Sequence, residues 1–358
     1  MIKISDLSMV IIGHQKQWQF LKKSADLGKL SHAYLFQGQE QLGKRTLALE
    51  FVKYLNCEKS EKRPCQTCRS CQDVQKGQYP DLVIIEPQGK EIQIAQIREL
   101  SWHLSLKPYS SSLKTVIIDN AHLMNQEAQS CFLKTLEEPK GNSLLVLITD
   151  YPEMLFSTIL SRVQKIKFSS VSAEEIKSYL KEKGYLLKTA EEIVHFSFGR
   201  PGQAINFAVD PQRLESYKEK IKELLKISNS DFSLRFQYAK DLSENSAFVK
   251  DTLEIWLRFF RGMLINSISA NPTIIKSFNN YSVSKMELPR PRRDGVSLRA
   301  SSFSGSLPAQ ADTPDDGALG YSAAKIKKII ENLQKINYWI SNTNVNARLA
   351  LEILMLEF

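Results

Sequence analysis

Two short stretches carry the residue types that grip a nucleotide, and each lacks the residue that would finish the chemistry. Residues 38–46 read Gly-Gln-Glu-Gln-Leu-Gly-Lys-Arg-Thr. The run fits Gly-x-x-x-x-Gly-Lys, a loop whose backbone N–H groups cradle phosphates. Gly38 permits the turn, Gly43 lets backbone approach phosphate, and Lys44 supplies a point charge. A hydroxyl should follow the lysine to hold Mg²⁺. Arg45 stands there instead, and a guanidinium cannot ligate a metal. Thr46 is one place further on, about 100° round a helix, and is not expected to ligate efficiently. Residues 115–120, Thr-Val-Ile-Ile-Asp-Asn, form an apolar run ending in Asp119. Asn120 follows where a switch ATPase would carry a second carboxylate, and an amide cannot take a proton from water. The expectation is a cradle in which ATP binding is weak or absent and hydrolysis is lost.

A second cluster suggests a metal. Cys57, Cys65, Cys68 and Cys71 lie close together, with Cys131 apart among Ala128, Phe132 and Leu136. Four thiolates suit a closed tetrahedral Zn²⁺ site with no open position for substrate, which makes the site structural. A redox Cys-x-x-Cys pair and an iron–sulfur centre are the competing readings. Cys131 reads as a core thiol. Ser161-Arg162 precedes an expected strand. This arginine is either a solvated loop end or a finger that completes a neighbour's nucleotide site. The five histidines show no ligand spacing, and Trp256, Phe259 and Phe260 fit a helix core better than a base-stacking platform.

These residues need elements to position them. Ala33–Phe36 is a short buried strand feeding the glycine loop, and residues 46–55 have helical spacing. Further strands are expected at 82–85, 116–118, 144–149 and 163–168, with helices at 10–30, 92–106 and 126–136. Unbroken apolar strands alternating with helices argue a parallel sheet covered on both faces. From Ser172 onward only helices are expected. Residues 286–324 break the pattern: they contain no lysine and carry Arg290, Arg292, Arg293 and Arg299 among prolines. That composition predicts a disordered insertion, or a basic arm.

The whole chain sets outer bounds. At 358 residues, two to three domains are expected. The net charge of +9 suits an acidic partner such as nucleic acid, or simply a lysine-rich surface. No apolar run is long enough for a membrane span, and the N-terminus does not read as a signal peptide, so a cytoplasmic location is expected.

Taken in order, the motifs resemble a known family. Ser31-His32-Ala33-Tyr34-Leu35-Phe36 leads into the P-loop, and the cysteines follow its helix. Lys134-Thr135-Leu136-Glu137-Glu138-Pro139, Thr158-Ile159-Leu160-Ser161-Arg162 and Asn344-Val345-Asn346-Ala347-Arg348-Leu349-Ala350-Leu351-Glu352 come later. The chain resembles the delta prime family of bacterial DNA polymerase III clamp-loader subunits, within the AAA+ superfamily. The resemblance covers nearly all the chain except about 280–324, and the gamma/tau subunits share most of its motifs. It implies a RecA-like α/β AAA+ domain with a zinc module (1–170, cysteines 57–71), a helical lid (171–210) and an all-α collar domain (211–358). It further implies a non-catalytic stator that lends Arg162, beside Ser161, to an adjacent ATPase subunit. The family's Ser-Arg-Cys is Ser161-Arg162-Val163 here. The implied partners are gamma/tau and delta subunits, the sliding clamp, and primer–template DNA reached through the assembly. Arg45, Asn120 and Gly202, where an active lid places a sensor arginine, depart from the gamma/tau pattern, while Thr149 matches the first sensor position. Two alternatives remain: an active gamma/tau-like ATPase, and a zinc-dependent DNA-binding module with a vestigial P-loop.

Overall fold

Strand, glycine loop and helix succeed one another early in the computed structural model, which describes residues 11–59, 61–109, 113–139, 141–268, 321–342 and 345–358. The backbone divides into two compact units, Met1–Pro211 and Gln212–Phe358. The first begins with α1 (Gln15–Asp26), β1 (Ala33–Gln37), α2 (Lys44–Asn56) and α3 (Arg69–Gln75). It continues through β2 (Leu82–Ile85), α4 (Ile94–Ser105), β3 (Lys114–Ile118), α5 (Gln126–Glu137) and β4 (Ser143–Thr149). After α6 (Ser157–Leu160) and β5 (Gln164–Lys167) come α7 (Ala173–Glu182), α8 (Leu187–Ser197) and α9 (Pro201–Val209).

All strand pairs are parallel, in the order β2-β3-β4-β1-β5. Side chains alternate between two cores. Leu35, Val116, Ile118, Leu145 and Leu147 face Ile97, Leu100, Phe132 and Leu136 of α4 and α5. Their strand neighbours Tyr34, Phe36, Ile117, Leu144, Val146 and Ile148 face Leu21, Leu47, Phe51 and Val52 of α1 and α2. Burial on both faces is why these strands read as unbroken apolar runs. Each such side chain contributes roughly 1.5–3 kcal/mol relative to exposure. β5 alternates because it is an edge: only Ile166 is buried, and Lys165 and Lys167 face water.

One expectation needed correction, and two short helices went unread. The helix read over 10–30 spans only Gln15–Asp26. Gly13 (φ 70) and His14 (φ 57) precede it with left-handed backbone, and Gly28 (φ 64) follows it, so no α-helix continues through either end. The short helices α3 and α6 were not legible, because seven and four residues are too few to display a hydrophobic period.

The second unit contains α10 (Pro211–Ser228), α11 (Phe232–Ser243), α12 (Ser246–Ile268), α13 (Ala323–Asn342) and α14 (Ala347–Met355), with no strand among its described residues. Trp256, Phe259 and Phe260 are fully buried in it, and the rings of Trp256 and Phe260 lie 5.7 and 5.8 Å from that of Phe358. These aromatics pack; they offer no platform to a base. Of the stretch 286–324, residues 286–320 lie outside the described residues, Arg290, Arg292, Arg293 and Arg299 among them.

Candidate nucleotide cradle and metal centre

Parallel sheets bind ligands at the carboxyl ends of their strands. Here an acid follows each of three strands: Glu86 after β2, Asp119 after β3 and Asp150 after β4. The Gly38–Lys44 loop leaves β1 at this same edge. Gly38 extends the ladder, its N–H donating to Thr149 O at 3.2 Å. A Cβ there would lie 2.4 Å from Phe168 O, so only glycine fits. Gly43 (φ 90) then turns the chain into α2.

The loop's charges are already matched from within the chain. Lys44, only 5% exposed, donates through Nζ to Gly38 O (2.5 Å), Gln39 O (2.7 Å) and Asp150 Oδ1 (2.6 Å). Three acceptors satisfy an ammonium group that could not otherwise be buried. Arg45 reaches the strand-end acids: its Nη1 lies 3.0 Å from Asp119 Oδ2 and also pairs with Glu86. The other Asp119 oxygen accepts the Asn120 N–H at 3.0 Å. The carboxylate that would face Mg²⁺ in an ATPase therefore faces a guanidinium. Asn120 also has a local role. Its backbone is left-handed (φ 53, ψ 47), a conformation asparagine tolerates well.

Thr149 is buried, and its hydroxyl is engaged by His122 Nδ1 (3.2 Å) and the Tyr151 N–H (3.1 Å). Burial lowers the His122 pKa and favours the neutral ring. Thr46 is half-buried in the first turn of α2.

The start of α9 and the residue just before α1 close on the loop. Gly202 N–H donates to Gln41 O at 2.8 Å, and His14 Nε2 donates to Leu42 O at 3.0 Å. A Cβ on Gly202 would meet Gln41 O at 2.8 Å. Gly202→Arg is therefore expected to lower stability by about 1–3 kcal/mol rather than to place a cation over the loop. A urea melt measures this; an unchanged midpoint together with tighter ATP binding would show room that the close backbone approach denies.

Arg162 lies elsewhere. It precedes β5, whose Gln164 is in register with Tyr34 near the start of β1, so it sits toward the amino edge of the sheet. Gly38, Asp119 and Asp150 lie at the carboxyl edge, about 13 Å away along four strand residues. Arg162 is exposed, donating through Nη1 to Thr158 O (3.0 Å) and Ser161 Oγ (3.2 Å) and pairing through Nη2 with Glu137 at 2.9 Å. It is not brought together with its own chain's cradle.

The sulfurs of Cys57, Cys65, Cys68 and Cys71 all lie within 4.8 Å of one another. Tetrahedral Zn–S bonds of about 2.3 Å separate sulfurs by roughly 3.8 Å, so the set fits Zn²⁺ with no open position. Donors already point at the sulfurs. Cys68 N–H meets Cys65 Sγ at 3.2 Å, Thr67 Oγ1 meets it at 3.5 Å, and Cys71 N–H meets Cys68 Sγ at 3.4 Å. The Thr67 hydrogen bonds lead in bringing the Cys65 thiol down to about 5, while burial pushes Cys71 up. Cys131 is half-buried against the core between the sheet and α5, outside this set.

The sequence reading assigned no role of their own to Glu86, Asp150, His122, Gln41 and Glu137. The one available signal was the acid trailing each strand, which points to the ligand edge. His122, Gln41 and Glu137 carry no such pattern.

The sequence model of the family described as "DNA polymerase III, delta subunit" matches residues 13–172. The delta prime subunit of Bacillus subtilis is 37% identical over 164 residues, spanning 46% of this chain and 50% of that protein. The tau subunit of Escherichia coli is 30% identical over 186 residues, spanning 52% of this chain and 28% of that protein. The match therefore spans half or less of these relatives. A solved gamma subunit-related protein from Thermotoga maritima aligns over 94% of this chain and 97% of its own length, at 18% identity and a TM-score of 0.40. The family match holds the P-loop, the cysteine set, Asp119, Thr149 and Arg162, but not the Asn344–Glu352 motif. Through residues 13–172, the chain resembles the delta prime subunits of DNA polymerase III.

Proposed function

We propose that this chain is a non-hydrolysing subunit of a replicative sliding-clamp loader. In this reading residues 1–170 are a RecA-like AAA+ domain, 171–210 a lid and 211–358 a collar. Its partners are gamma/tau and delta subunits and the sliding clamp, with primer–template DNA reached through the assembly in the cytoplasm. Arg162 completes the nucleotide site of an adjacent ATPase subunit. The cysteine set holds a structural zinc, which supplies a cross-link and no reaction chemistry.

One observation carries the non-hydrolysing part: Arg45 pairs with Asp119 at 3.0 Å. A cation fixed to the chain occupies the carboxylate that a hydrolytic site needs for Mg²⁺. Lys44, held by Gly38 O, Gln39 O and Asp150, has its donors engaged before any phosphate arrives. The location of Arg162 away from this cradle supports a role in trans.

The purified chain is expected to hydrolyse ATP at the buffer background, with Lys44→Ala indistinguishable from the parent in a phosphate-release assay. Turnover that disappears in Lys44→Ala would establish the gamma/tau-like motor instead. Tight DNA binding by the isolated chain, weakening steeply with salt, would favour the zinc-dependent DNA-binding module.

A further inference from the structure

Between Cys65 and Cys68 lies a residue that joins the metal loop to the P-loop helix. Gln66 has left-handed backbone (φ 61). Its side-chain amide is held at both ends: Nε2 donates to Glu50 Oε2 at 2.7 Å, and Oε1 accepts from Lys53 Nζ at 3.0 Å. Glu50 and Lys53 pair with each other at 2.8 Å on α2 and are 4% and 0% exposed. Gln66 itself is exposed, so it covers this pair from the solvent side. It directly follows Cys65 and stands two places before Cys68, whose N–H meets Cys65 Sγ at 3.2 Å, so its turn lies inside the loop that spaces the ligands. One residue thus sits between two cysteines of the set in the chain and meets a buried ion pair through its side chain.

We infer that Gln66 is a positioning residue for the four-cysteine centre: its amide, clamped by Glu50 and Lys53, fixes the turn that brings Cys65, Cys68 and Cys71 together, so metal occupancy and α2 packing are coupled. The physical case rests on two asymmetries. A left-handed non-glycine residue is held there by its surroundings rather than by its own preference. A buried ion pair that loses hydrogen-bond partners is left under-satisfied, which is costly. Groups one bond removed from the ligands commonly set metal affinity by 10- to 100-fold. The same helix begins at Lys44 and Arg45 and buries Leu47, Phe51 and Val52, so the coupling runs toward the cradle.

The inference rests on the cysteine set holding a metal, and not on the clamp-loader reading. The test titrates metal-free full-length chain with Co²⁺, reading thiolate-to-cobalt charge-transfer absorbance, and then displaces it with Zn²⁺. Gln66→Gly keeps the backbone freedom and the N–H but removes the amide; about tenfold weaker binding is expected. Gln66→Glu sets a carboxylate against Glu50 and is expected to weaken binding similarly. The exchange Glu50→Gln with Gln66→Glu restores one carboxylate, one amide and Lys53, and is expected to return affinity to within about threefold of the parent. Parental affinity in Gln66→Gly, or a double variant no better than Gln66→Glu, overturns the coupling. A parent chain that takes up no Co²⁺ overturns it at its premise while leaving the clamp-loader reading intact.

Discussion

Arg162→Ala is expected to slow the ATPase of a reconstituted clamp loader by about 10³-fold at the site that this chain completes, the lower end of what such fingers contribute in GTPases. The assay needs the whole assembly: the ATPase subunits, the sliding clamp and primer–template DNA. The fold should be untouched. Arg162 is exposed, and its pairing with Glu137 is the kind of surface ion pair that contributes roughly 0.2–1 kcal/mol. That weak hold also makes the guanidinium cheap to release toward a partner's phosphate. Arg162→Lys should recover only part of the rate, because an ammonium keeps the charge but loses the planar fork. Assembly measured by gel filtration should be unchanged in both variants. A loader that assembles with Arg162→Ala and hydrolyses ATP at the parental, DNA-stimulated rate would remove the finger role altogether.

Removing the metal is expected to have the largest effect on stability. Metal analysis of protein purified without chelator should find one zinc per chain. Bound zinc closes the loop from Cys57 to Cys71, much as a covalent cross-link would. Closing a loop of about 15 residues is worth roughly 3 kcal/mol on the chain-entropy account. For a unit of this size that corresponds to a fall of about 6–12 °C in thermal midpoint on stripping. The effect should be local in structure, because the two cores flanking the sheet do not depend on the cysteines. Hydrogen exchange should rise sharply over residues 57–75 and much less in β1, β3 and β4. Cys71→Ser, at a fully buried ligand, should reproduce the stripped state. Protein that carries no metal as purified, or a loop that stays protected after chelation, would return the cysteines to the redox reading.

Much of the first unit was legible because its signals are local. Strands buried on both faces appear as apolar runs, and the run before Asp119 announced β3 and the edge at which a ligand would sit. Edge strand β5 was legible as alternation, since one face meets water. The P-loop context was legible from strand, glycines and helix in succession. The cysteine set was legible because its ligands are close in sequence. The contact of α9 with the glycine loop was not: Gly202 could be seen to lack a side chain, but not to press against Gln41. Asn120 could be seen to lack a carboxylate, but not to occupy a left-handed turn. The Glu50–Lys53–Gln66 cluster also escaped notice, because a buried ion pair looks like any surface i,i+3 pair until its burial is known.

From its amino acids alone, this chain declared a glycine loop with Arg45 after its lysine, a cluster of four cysteines and a parallel sheet. Those properties depend on residue type and short-range spacing, which the order of the chain preserves. Folding decided which groups meet. Arg45 finds Asp119 across 74 positions, and Lys44 finds Asp150 across 106, because the order β2-β3-β4-β1-β5 sets β3 and β4 beside the loop after β1. Folding likewise separated Arg162 from the cradle, since parallel strands send their two ends to opposite edges. Side-chain pairing over such distances depends on strand order and close packing, and neither is written in any local pattern.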